Sequence, residues 1–147
     1  MKTTKDQTNR VRLYAQALSY LGTDASPLDI AIDDLGCADS VSAIIKSLFP
    51  QSIKGSVSTA ELNNQLKASP SFFKPKDIRA GDIVMSPTGT GKTGKVKHGH
   101  VGIVGENDEI MSNSSSTGLW TTNFTFASWI KRYREQGGYP IIIYRIR

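Results

Sequence analysis

The chain has 147 residues, 38% of them hydrophobic and 21% charged, with a net charge of +5 and a single cysteine. That length suits one domain (residues 1–147) around one core, and the lone cysteine excludes an internal disulfide and most cysteine-based metal sites. No apolar run approaches the ~20 residues of a membrane span, and Met1-Lys2-Thr3-Thr4-Lys5-Asp6 has no apolar stretch behind it, so neither a membrane span nor a Sec signal peptide is expected.

Val11, Tyr14, Ala15, Leu18 and Leu21 recur at helical spacing and predict a helix over 10–21, stopped by Gly22. The stretch 23–36, with Pro27 and aspartates 24, 29, 33 and 34, reads as a loop. Those aspartates lack the spacing, central glycine and terminal glutamate of an EF-hand and read as solvated charges. Ala38, Val41, Ile44, Ile45 and Leu48 give a second helix over 37–48, ended by Pro50. Ser58 and Glu61 fit a capping box ahead of Leu62 and Leu66, which predicts a third helix ending near Ser69-Pro70.

The pattern then changes. Strands are expected at 83–85, 100–104, 109–113 and 139–146, with a flexible Gly/Thr/Lys loop over 87–97 and a tight turn at Glu106-Asn107-Asp108. Residues 126–134 read as a short amphipathic helix. Helices first and strands after make the class α+β, with N-terminal helices packed on a small antiparallel β-sheet. Trp120 and Trp129 read either as groove lining or as core.

Two motifs carry chemistry. In Gly36-Cys37-Ala38-Asp39 the only thiol sits at a helix start, where unpaired N–H groups and the helix dipole favour a thiolate and can hold an oxyanion. In His98-Gly99-His100-Val101-Gly102 a histidine enters an apolar strand, with Gly102 leaving room beside its ring. Cys37 as nucleophile and His100 as base is the expected pair; His98, nearer the flexible loop, is the competitor. A base needs an orienter. Asn113, at the end of the following strand, is the expected one, with Ser112, expected on the opposite face, as the alternative. Asn113 equally reads as the first residue of a Ser-rich loop.

A third motif is a decoy. Ser86-Pro87-Thr88-Gly89-Thr90-Gly91-Lys92-Thr93 follows a strand as a phosphate-binding loop does, but no helical pattern follows it and its first position is serine. It reads as a mobile loop beside the cleft, with nucleotide binding as a minor alternative.

The order Cys37 at a helix start, Ile78-Arg79-Ala80-Gly81-Asp82-Ile83-Val84, then Gly99-His100-Val101-Gly102-Ile103-Val104 and a polar residue on the next strand resembles NlpC-type and CHAP cell-wall hydrolases, which are papain-like cysteine enzymes. NlpC members typically show Asp-Cys-Ser-Gly; Gly36-Cys37-Ala38-Asp39 looks nearer to CHAP, a group that includes amidases and endopeptidases. An ungapped comparison with NlpC members sets Ser112 in the third position, and a one-residue gap sets Asn113 there.

The resemblance implies a papain-like fold, attack of the Cys37 thiolate on a peptidoglycan amide, and no metal or other cofactor. It implies a protein made in the cytoplasm that reaches the wall by export, injection or lysis, as a phage lysis or tail enzyme or a secreted toxin. A phage structural protein or an immunity protein is the partner class that follows. A papain-like binding or structural module without catalysis is the alternative. The net positive charge suits an anionic wall, or solubility alone; no basic run interleaved with aromatics suggests nucleic acid.

Overall fold

The computed structural model describes residues 8–28, 30–31, 35–89 and 98–147. Three helices come first: α1 (Asn9–Ser19), α2 (Gly36–Leu48) and α3 (Thr59–Ala68). Two of the starts have a side-chain cap. The Thr8 side chain accepts from Val11 N and the Ser58 side chain from Glu61 N, as N-cap residues do. The start of α2 has no side-chain cap. Phe49 and Pro50 end α2, where the expected proline stop falls.

The strands are β1 (Phe72–Phe73), β2 (Ile83–Ser86), β3 (His100–Val104), β4 (Glu109–Ser114), β5 (Leu119–Thr125) and β6 (Ile142–Ile146). They form one antiparallel sheet in the order β1-β6-β2-β3-β4-β5. The expected turn joins β3 to β4, with Asn107 and Asp108 at φ 55° and 62°. Paired left-handed residues of these types match the right-handed twist of flanking strands. Strand β5 was not anticipated. Its inward residues are few, only Trp120 being buried, so its apolar alternation is faint.

The sheet separates two apolar layers by the two-residue period of its strands. Ile83, Met85, Val101, Ile103 and Met111 face the helices and pack with Leu13, Val41, Ile44, Ile45 and Leu62. Val84, Val104 and Ile110 face the other way, against Trp129, Tyr133 and Tyr139. The second layer comes from a short helix, α4 (Phe126–Trp129), that continues as a π-helical stretch, Ile130–Gln136. The expected helix over 126–134 is therefore longer than anticipated and widens after its first turn.

The Arg-Ala-Gly-Asp motif has a structural role. Asp82 is fully buried and takes both Arg145 Nε (2.7 Å) and Nη2 (2.8 Å) on its carboxylate. Arg79 N also donates to it, at 2.8 Å. This clamp ties the entry of β2 to β6, at the end of β2 away from Ser86 and its partner His100.

Candidate functional site

A groove of about 200 Å³ opens where α2 begins, β3 begins and β4 ends, lined among others by Cys37, His98, His100, Asn113, Asn123 and Arg132. A thiol at a helix start and an imidazole at a strand start thus reach one place, although their rings and side chains belong to opposite layers. Cys37 is 3% exposed and packs in the helical layer. The His100 ring packs in the other layer, 5.2 Å from Trp129 and 5.8 Å from Tyr133 in stacked geometry, and 5.5 Å from Phe124. His98 is exposed on the groove rim.

The approach to Cys37 is shaped by the segment before it. Asp39 is buried, and its Oδ2 accepts from Ser26 Oγ (2.5 Å) and Leu28 N (3.1 Å). From the sheet side, Asn113 Nδ2 donates to Ala31 O at 2.6 Å. These bonds hold 26–28 and 30–31 across the start of α2 so closely that a Cβ on Gly36 would lie 2.6 Å from Ile30 O and 2.8 Å from Asn113 Nδ2. Only glycine fits there. Beside it, the first turn of α2, to which Leu35 gives no side-chain cap, sets its backbone N–H groups at the sulfur's end of the helix.

The side chain beside His100 Nε2 is Ser112, where Asn113 was expected. His100 Nε2 lies 3.0 Å from Ser112 Oγ, while the Asn113 amide is turned away to Ala31. The reason is register. Ile103 pairs with Met111 and Val104 with Ile110, so even-numbered residues of β3 and β4 share one face. Ser112 lies on the face of His100, and Asn113 on the face of Cys37; the expectation that Ser112 points the other way is corrected. Gly102, opposite Ser112 when that register is continued, makes room for it: a Cβ there would sit 3.3 Å from Ser112 Cβ.

Ser112 is itself held. Its Oγ donates to Asn123 Oδ1 at 2.6 Å. Asn123 arrives there through a β-bulge, since Ile110 pairs with Phe124 and Met111 with Thr122, leaving 123 unopposed. Bulges re-aim single side chains in this way. A serine hydroxyl has one proton. With that proton given to Asn123, Ser112 can only accept from His100, so Nε2 carries the ring proton and Nδ1 keeps its lone pair. Burial, and then the positive charge of Arg132, push the His100 pKa down to about 4. The resting imidazole is therefore neutral near pH 7, with one basic nitrogen.

Sequence reasoning missed Asn123. Its signal is a bulge, which no alternation pattern in β5 marks. Trp120 and Trp129 are fully buried and are core residues; Trp120 Nε1 donates to Ala17 O and Trp129 Nε1 to Ser86 Oγ. Ser86, the first residue of the phosphate-loop look-alike, is accordingly a buried strand residue with its hydroxyl engaged, and 90–93 lie outside the described residues. Asp24 accepts from Ser26 N within a loop turn; Asp29, Asp33 and Asp34 lie outside the described residues. Among the described residues no group of three His, Cys, Asp or Glu could hold a metal, and no helix is long and apolar enough to cross a membrane.

The chain matches no family model and no curated protein. Among solved structures it is similar to a chain of the type VI native effector-immunity complex Tae3-Tai3 from Ralstonia pickettii. The TM-score is 0.59 at 16% identity, over 95% of this chain and 100% of that one. The fold is papain-like. At that identity the likeness concerns the fold, and it does not distinguish an NlpC or a CHAP member.

Proposed function

We propose that this protein is a single-domain cysteine hydrolase that cleaves an amide bond of peptidoglycan. The observation that carries the reading is one groove holding both Cys37, at a helix start, and His100, whose bonded Nε2 leaves Nδ1 its lone pair. Cys37 is the nucleophile and His100 Nδ1 takes the thiol proton. The sulfur attacks the amide carbonyl, and N–H groups of the first turn of α2 receive the developing oxyanion. His100 returns the proton to the leaving amine, and water then hydrolyses the thioester. Ser112 and Asn123 hold the tautomer. Asn113, expected as the third site residue, instead braces Ala31 over the nucleophile.

The fold shared with a chain of an effector-immunity complex favours a delivered toxin over the phage-lysis route, with an immunity protein as the natural partner at the groove. The NlpC or CHAP type, and the choice between amidase and endopeptidase, remain parts of this proposal.

A second reading has a specific observation behind it. Cys37 is 3% exposed, which suits a papain-like binding module whose thiol is structural. Alkylation separates the two. A nucleophile whose proton can pass to the His100 imidazole reacts with iodoacetamide within minutes near neutral pH, and His100→Gln slows it at least tenfold. A thiol that reacts only on unfolding would overturn the hydrolase reading.

A further inference from the structure

Arg132 stands at the groove mouth with no carboxylate beside it among the described residues. It is exposed, it lines the groove, and among the described residues no carboxylate pairs with its guanidinium. No Asp or Glu lines the groove among those residues; the other polar rim groups include the hydroxyl residues Ser114, Ser115 and Ser116. The arginine is also held in place. The π-helical stretch directs Tyr133 into the aromatic layer, 5.8 Å from the His100 ring, and leaves the preceding Arg132 guanidinium 5.7 Å from the centre of the same tyrosine ring. A cation resting on an aromatic face loses less freedom when it binds a planar anion. π-Helical turns often mark such sites.

We propose that Arg132 reads a carboxylate of the substrate next to the scissile amide, so that the site selects acidic stem peptides over their amidated forms. The inference rests on the hydrolase reading and narrows its substrate class. Arginine suits the task because its fork pairs with carboxylate through two parallel hydrogen bonds. The hydroxyl residues of the rim can donate to the same oxygens without charge competition.

The test uses two purified stem peptides that differ only in whether the glutamyl α-carboxyl is free or amidated. Wild-type protein should prefer the free acid by about tenfold in kcat/KM, chiefly through KM, the scale of one charge-assisted pair at a groove mouth. Arg132→Gln should bring that ratio close to one, and Arg132→Lys should restore part of it. A structural role for Arg132 would lower both peptides equally and leave the ratio at its wild-type value, which overturns the inference. Equal use of both peptides by the wild type overturns it too, while leaving the hydrolase reading standing. Calorimetry of both peptides on the Cys37→Ala protein gives the same ratio without turnover. If neither peptide binds nor is cleaved, the hydrolase reading falls and the inference with it.

Discussion

Ser112 Oγ lies 3.0 Å from His100 Nε2 and spends its only proton on Asn123. That places the ring proton on Nε2 and the basic lone pair on Nδ1. Ser112→Ala removes the acceptor and frees the ring to exchange tautomers. Activity on sacculi should fall by about 10²-fold in kcat, with KM little changed, because an orienter acts on the population of the correct tautomer. Asn123→Leu should fall less, about tenfold, since Ser112 still accepts from the ring. Steady-state kinetics on both variants checks the ranking.

Asn113 should behave differently. Its Nδ2 holds Ala31 O, while its Oδ1 is buried with no hydrogen-bond partner among the described residues. Asn113→Ala loses one bond but also removes an unsatisfied acceptor, so the net destabilisation should be about 1 kcal/mol or less. Urea unfolding measures it. The pH profile of kcat/KM should keep its shape in this variant, because Asn113 does not touch the imidazole.

The buried imidazole links stability to pH. His100 binds its proton at about 4 when folded and near 6.5 when unfolded. Between those values the unfolded state binds more protons, so stability is complete above about pH 6.5 and declines as the pH falls towards about 4. The loss is at most about 3 kcal/mol, less what the groove-side exposure of the residue screens. Unfolding midpoints should fall across that window in the wild type, and His100→Gln should flatten the decline.

Trp129 Nε1 donates to Ser86 Oγ with both residues fully buried. Trp129→Phe keeps most of the apolar contact but leaves the hydroxyl unpaired and opens a small void. It should cost about 2–3 kcal/mol by thermal unfolding. Activity of the folded fraction should fall as well, because the His100 ring stacks on this indole.

The helices, the strands over 83–86, 100–104, 109–114 and 142–146, and the placing of Cys37 and His100 on one groove were legible because each rests on local signals: apolar period, caps, proline stops, and a polar residue entering an apolar strand. Strand β5 was not, because Leu119–Thr125 buries little besides Trp120. Ser112 was misread for a related reason. Which of two neighbours on β4 meets His100 depends on the pairing register with β3, and a slip of one residue exchanges faces. Asn123 depends on a bulge one strand further on. Neither relationship exists within a single strand's sequence. The Arg-Ala-Gly-Asp motif was legible as a marker of the fold, and its chemistry turned out to be the buried Asp82–Arg145 clamp.

The central claim is that the Cys37 sulfur cleaves a wall amide with His100 as its base. Digestion of purified sacculi, with mass spectrometry of the soluble fragments, tests it most directly. The account predicts fragments with one new amine and one new carboxyl terminus from wild-type protein, none from folded Cys37→Ala, and far fewer from His100→Ala than from His98→Ala. Undiminished release by Cys37→Ala, or fragments cut at a glycosidic bond, would contradict it.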